Sequence, residues 1–393
     1  MSYCEVPGHN FGLKSAVVNF NRAPEQATVF ARRVLWVVSE HYYDDNDTTE
    51  PAYANGSGQA CLKLLHSNQF LGFPFDDGKD ALMGESNEYL GVVSSFERVA
   101  DGILVQDVSR KRRGKLRDLV REVAKARELR SGLASSIFGK AGFMLSPCYS
   151  SLGRACLLPL KQREYERAAT RLNVDTVESL EFIEFACDNL PAQHLPLLPS
   201  AAKEKVVVFT DAEGKKRKGA RAPSGHMGFV VVHPVHGVVH AHAACPASLT
   251  LLLDRVKKRD TYIGQYELAA AITPFISLPR SWFEGRPVEL WIDNSGAIGA
   301  LVSGYSGKPD CGRMVNFFHF AFAQLGAASL WIDYVPSESN PADVPSRFHE
   351  MSARERAASA GLVGREVPIS IPLFATADGA WRSYVEIASS VWR

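Results

Sequence analysis

Apolar and polar positions set out a strand-rich region in the second half of the chain. Val206-Val207-Val208-Phe209-Thr210 is an unbroken β-branched and aromatic run, the mark of a strand buried on both faces. Asp211 is expected to close it. Residues 227–232 and 238–242 predict an antiparallel hairpin, joined through Pro234 and Gly237. Residues 262–276 predict a helix whose apolar face carries Ile263, Tyr266, Ala270 and Ile272, with Glu267 beside that face. Residues 288–292 predict another strand, ended by Asp293. Asn294 or Ser295 can cap the helix expected at 296–303. A Phe-rich helix is expected at about 313–324 and a last strand at 329–335. Asn340 then reads as an N-cap, Pro341 as the first helical residue, and Asp343 falls in the first turn.

The first half is patterned differently. Arg110, Lys111, Arg112, Arg113, Lys115, Arg117, Arg121, Lys125, Arg127 and Arg130 alternate with Leu116, Leu119, Val120 and Val123 at helical spacing. This predicts an amphipathic basic helix. A second helix is expected around 177–187. Leu195-Pro196-Leu197-Leu198-Pro199 reads as a proline-punctuated linker and sets a domain boundary. Beyond residue 348 the pattern weakens to one helix near 353–360, and the last thirty residues carry no chemical signal.

Composition adds limits. With 393 residues, 46% of them hydrophobic, the chain is long enough for two or three domains with sizeable cores. The net charge of +1 announces no nucleic-acid binder in bulk, so local charge has to carry that argument. The seven cysteines are scattered without paired zinc spacing, which reads as reduced thiols. No apolar run approaches the roughly 18 residues of a membrane span, and the first twenty residues lack a signal pattern. A soluble, intracellular protein is expected, in nucleus or cytoplasm, with no membrane partner.

The candidate chemistry is a set of four carboxylates. Three of them have an ordinary reading alone. Asp211 could form a turn, Glu267 could face solvent, and Asp343 could complement a helix dipole. Together they fall at the end of the first strand, in a helix, at the end of the fourth strand and at the start of the last helix. If the first and fourth strands are neighbours, Asp211 and Asp293 lie side by side under the Glu267 helix. Close carboxylates repel unless cations hold them, and oxygen-rich clusters select Mg²⁺ or Mn²⁺.

Four stretches carry a family resemblance: Phe209-Thr210-Asp211-Ala212, Tyr266-Glu267-Leu268-Ala269-Ala270, Trp291-Ile292-Asp293-Asn294-Ser295, and residues 337–347 with Asn340-Pro341-Ala342-Asp343. Residues 203–348 resemble RNase H type 1 as fused to retroelement reverse transcriptases, of the LTR and tyrosine-recombinase kinds. The resemblance implies an α/β domain with a mixed five-stranded sheet and flanking helices. It implies that Asp211, Glu267, Asp293 and Asp343 are catalytic and bind two Mg²⁺ ions, with Mn²⁺ a substitute. One ion would activate water and the other would stabilise the leaving 3′-oxygen. Asp211 would bridge both, Glu267 and Asp293 would complete one site, and Asp343 the other. The substrate implied is the RNA strand of an RNA–DNA hybrid, discriminated through 2′-hydroxyls and groove width. The His that many members carry before the last Asp, which helps product release, is absent from the loop 336–341, where Glu338 and Ser339 stand, and this implies slower turnover.

Residues 9–165 resemble the second half of a reverse-transcriptase palm with its thumb and connection. The resemblance rests on the turn from Phe11 to Ala16, on Tyr42-Tyr43-Asp44-Asp45, on Tyr89-Leu90-Gly91 and on the basic helix. Asp44 and Asp45 would be a polymerase-type metal-site remnant. The fingers and the strand with the first palm Asp have no counterpart, so DNA polymerisation is not expected, and an N-terminal polymerase portion stands as a missing partner. The domains expected are a partial α+β palm at 1–100, a helical thumb and connection at 101–194, the nuclease domain at 203–348 and a tail at 349–393. Lys111, Arg112, Arg113, Lys115, Lys216 and Arg217 are the candidate contacts to the nucleic-acid backbone. The alternative to a hybrid-specific ribonuclease is a degenerate or repurposed binding relic without catalysis.

Overall fold

The computed structural model describes residues 14–43, 45–72, 74–76, 78, 80–81, 83–149, 151–166, 170–197, 203–219 and 221–391. The chain forms two compact units, Met1–Tyr89 and Leu90–Arg393. In the first, a helix over Lys14–Arg33 precedes a hairpin of Val38–Tyr42 and Asp45–Thr49, and a helix over Ser57–His66 follows. Tyr42 and Asp45 are register partners at the end of the hairpin, with Tyr43 at a φ of 58°. Asp44 lies outside the described residues, as do residues 11–13 of the expected upstream turn. Among the described residues, Ala31, Val37 and Leu62 form a small buried cluster here, while Trp36 is 86% exposed.

In the second unit the strands Val92–Ser95, Ile103–Val108 and Gln193–Pro196 pair antiparallel. The proline-marked stretch is therefore an edge strand up to Pro196, not a linker. An edge strand tolerates a residue that cannot donate to the ladder. The basic helix spans Arg110–Ala126, capped by Ser109 and ended by Arg127 in the left-handed region, four residues short of the expected Arg130. Its apolar face (Leu116, Val120, Val123) is buried in one continuous core. That core also holds Leu180 and Ile183 of the Val174–Asn189 helix and the interior of the second sheet. Among the described residues, this one core cluster runs through both 101–194 and 203–348.

The second sheet is mixed and six-stranded, in the order Ser329–Tyr334, Pro287–Ile292, Val206–Lys215, Ser224–His233, Gly237–Ala244 and Arg365–Glu366. The first three strands run parallel, the third to fifth antiparallel, and the sixth parallel to the fifth. Five of the strands and their layout follow the expectation, and the sixth comes from the tail. That tail is built into the unit. A helix over Ala353–Val363 precedes the sixth strand, Phe374 is buried, and a helix over Tyr384–Val391 lies against Val174–Asn189. Gly364, at a φ of 80°, lets the sixth strand close on Val238, whose carbonyl oxygen would lie 2.1 Å from a Cβ there.

The Glu267 helix spans Ile263–Ser277 and is buried all round from Gln265 to Phe275, rather than along one face. Gly225 seats it, since a Cβ at that position would lie 2.4 Å from the Tyr266 ring. A further helix over Ala247–Val256 was not legible in the sequence pattern. It holds the Glu267 helix through Thr250, whose hydroxyl is 2.8 Å from the Tyr266 hydroxyl. Among the described residues no helix is long and apolar enough to cross a membrane. The described cysteines (Cys61, Cys148, Cys156, Cys187, Cys245 and Cys311) are free thiols.

Candidate metal centre

Asp211 does not end its strand. The ladder to the Pro287–Ile292 strand stops at Thr210 opposite Ile292, while the ladder to Ser224–His233 continues to Lys215. Asp211 is thus the first residue bonded to a strand on one side only. Asp293 follows Ile292 directly, so the two aspartates stand side by side past the last parallel pair. Oxygens of Asp211, Glu267 and Asp293 come within 4.8 Å of one another.

Burial decides the electrostatics. Glu267 is 3% exposed and Asp211 5%. Burial pushes the Glu267 carboxyl well above its ordinary range, and the charges of Asp211 and Asp293 add to this against one backbone hydrogen bond from Ala212. Burial likewise raises Asp211 to about 6, with Asp293 and Asp343 adding to it and the Ser346 hydrogen bond and Arg347 opposing it. Glu267 Oε2 is buried without a hydrogen-bond partner among the described residues. A buried carboxylate oxygen left bare costs several kcal/mol unless a proton or cation meets it. An all-carboxylate donor set suits a hard divalent ion such as Mg²⁺ or Mn²⁺. The residues present fit such an ion.

Asp343 stands apart from these three. It begins a short helix over Asp343–Ser346 and pairs with Arg347 at 2.6 Å. It is near enough to raise Asp211 and to be raised by burial and by Asp293 against Arg347. Asn340 is not the cap of that helix. Its amide donates to the Thr210 carbonyl at 3.0 Å, and its oxygen accepts from the Ala342 N–H at 3.1 Å. It therefore ties the turn to the strand carrying Asp211. Asn294 does cap its helix, accepting from the Ala297 N–H at 3.0 Å.

Two hydroxyls at the site escaped sequence reasoning. Ser337 donates to Asp293 Oδ2 at 2.6 Å, and Ser346, buried, donates to Asp211 Oδ2. A neighbouring ion-pair group was also missed: His349 Nε2 lies 3.2 Å from Glu213 and stacks on His226, and Lys215 lies 3.0 Å from Glu350. Spacing gave no signal for it, because Glu213 and His349 meet only through the fold. The loop 336–341 forms a turn at Ser337–Ser339, with no His in it.

The basic candidates divide. Arg113 donates to Asp107, to the Tyr149 hydroxyl at 3.0 Å and to the Leu190 carbonyl at 2.9 Å, so it braces the helix internally. Arg217 is held by Asp254 and the Arg259 carbonyl. Both are engaged by partners within the chain, which charge spacing does not show. Arg112 lies over the Phe143 ring, 4.5 Å from its centre. Lys111, Lys115 and Lys216 are exposed. In the other unit, Asp45 is exposed and its carbonyl accepts from Tyr89 at 3.2 Å.

No family model matches the chain, and no curated protein matches it. Among solved structures it is similar to RNase H1 from Halobacterium salinarum NRC-1, at 18% identity and a TM-score of 0.27, over 40% of this chain and 99% of that one. The N-terminal RNase H domain of a Mycobacterium tuberculosis protein, solved as a maltose-binding-protein fusion, gives 16% and 0.24, over 41% and 99%. The foamy viral protease-reverse transcriptase dRH in complex with double-stranded DNA gives 14% and 0.33, over 79% of this chain and 48% of that one.

Proposed function

We propose that this protein is a divalent-metal-dependent nuclease that hydrolyses the RNA strand of RNA–DNA hybrids. The observation that supports it most is the convergence of Asp211, Glu267 and Asp293, two of them buried, around a bare Glu267 oxygen. Burial of like charge at this density calls for protonation or a cation, and the all-carboxylate donor set suits the cation. Asp211, Glu267 and Asp293 would hold the ion, and Asp343 would join on release from Arg347. Bound Mg²⁺ supplies Lewis-acid stabilisation of charge on the phosphate and its leaving oxygen. The chain's own part is to hold the carboxylates in place, through Ser337, Ser346 and Asn340, and to keep Glu267 out of water. Exposed Lys111, Lys115 and Lys216 are left to meet the nucleic-acid backbone, a salt-dependent and sequence-independent contact.

The test is cleavage of a labelled RNA–DNA hybrid by the full chain with Mg²⁺, Mn²⁺ or EDTA, with duplex DNA and duplex RNA as controls. Cutting confined to the RNA strand of the hybrid, and abolished by EDTA, is expected. Metal-independent cutting, or cutting of duplex DNA alone, would overturn the reading. Hybrid binding without any cutting would favour a binding module without catalysis.

A further inference from the structure

We infer that Ser346 is a positioning residue for Asp211, and that Gly228 is what lets it act; this rests on the metal-ion reading above. Asp211 and Gly228 are register partners across the antiparallel pair. Partners share a face, so the space above Gly228 adjoins the Asp211 carboxylate. Backbone fills that space. A Cβ on Gly228 would lie 2.6 Å from the Ser346 nitrogen and 3.0 Å from the Pro345 carbonyl carbon. Close-packed main chain cannot move aside as a flexible side chain can, so this approach is open to glycine.

The approach sets the Ser346 hydroxyl, 1% exposed, against Asp211 Oδ2. The same hydroxyl lies 3.0 Å from the Asp343 carbonyl oxygen. One proton serves one acceptor at a time, and an ionised carboxylate is the stronger acceptor. With Oδ2 held, Asp211 cannot swing about its side-chain torsions, and its other oxygen is left for a cation shared with Glu267 and Asp293. Water cannot replace the hydroxyl, because the position is closed to solvent. The turn carrying Asp343 thereby orders the carboxylate on the strand below it, so two candidate ligands distant in sequence are set by one serine.

The test is Mn²⁺ binding to the full chain, followed by calorimetry and by the electron paramagnetic resonance signal of free Mn²⁺, with melting in EDTA as the fold control. Partners that orient metal ligands are worth about 10- to 100-fold in affinity. Ser346→Ala is expected to weaken Mn²⁺ binding by roughly 10-fold while melting near the parent chain, and Ser346→Thr, which keeps the hydroxyl, to restore it. If Ser346→Ala binds Mn²⁺ as tightly as the parent while Asp211→Asn does not bind, the inference falls and the metal reading stands. A folded parent chain that binds no Mn²⁺ removes the metal reading and this inference with it. An Ala variant melting far below the parent in EDTA would make Ser346 a packing residue and overturn the inference. A Thr variant that melts normally but binds no better than Ala would do the same.

Discussion

Asparagine at position 211 should stabilise the metal-free protein, but only above acid pH. The Asp211 carboxyl is 5% exposed, and burial, with Asp293 and Asp343, raises its pKa from 3.8 to about 6 against the opposing Ser346 bond and Arg347. A shift of about two units, at about 1.4 kcal/mol each, means that the ionised group costs the folded state about 3 kcal/mol. The sign follows from proton linkage. At about pH 3.5 the group is mostly protonated in both states and contributes little. As pH rises toward 6 the unfolded chain ionises first, so stability falls, and above that the full cost is felt. Asparagine carries no charge and still offers Ser346 an oxygen. Urea unfolding in EDTA should therefore show Asp211→Asn level with the parent chain near pH 3.5 and about 3 kcal/mol more stable near pH 8. Saturating Mg²⁺ should reverse the order, because a cation that binds the folded state alone stabilises it by mass action. An asparagine variant no more stable than its parent at pH 8, or equally stabilised at both pH values, would refute the reasoning.

Glu267→Gln and Asp293→Asn should each bring hybrid cleavage to the EDTA background while leaving far-ultraviolet circular dichroism unchanged; retained cleavage in both would sink the assignment. Arg113→Ala should cost roughly 2–4 kcal/mol in urea unfolding, because Asp107 and three backbone carbonyls lose their donor. Lys111→Ala and Lys115→Ala should stay within about 0.5 kcal/mol of the parent and lower the salt slope of hybrid binding by about one each. Arg347→Ala should change stability by less than about 1 kcal/mol, since its pair with Asp343 is half-exposed. Gly364→Ala should speed hydrogen exchange at Val367, whose N–H donates to the His240 carbonyl at 2.9 Å, by unseating the sixth strand; unchanged exchange would deny that strand its anchor.

What could be read from the sequence was what local pattern encodes. The apolar run before Asp211 and the short run before Asp293 gave two strands, and helical spacing around Tyr266 gave the helix carrying Glu267. What remained hidden depends on pairing. The Asp211 strand continues to Lys215 because a second strand bonds it there, and no property of residues 212–215 announces that partner. Leu195-Pro196 looked like a linker because proline interrupts ladders, yet an edge position removes the conflict. The basic helix showed its charges but not the carboxylates that occupy them: Arg117 lies 2.9 Å from Asp188 and Arg121 2.6 Å from Glu184, both across a helix pair. Ser346 was unreadable for the same reason, since its partner lies 135 residues earlier.

The unequal ends of neighbouring strands explain why the carboxylates meet where they do. Up to Thr210 the central strand is bonded on both sides, and a carboxylate there would be shut in by the sheet. From Asp211 onward one side is open, because its parallel neighbour has ended at Ile292. Gly225 and Gly228 lie three apart on the next strand and so point to opposite faces. The first admits the Tyr266 ring of the Glu267 helix, and the second admits the backbone of the Asp343–Ser346 turn. A helix on one face and a turn on the other thus reach the same open flank of one strand. Neither approach survives a side chain at its glycine, so the two glycines position the centre as surely as the carboxylates define its chemistry.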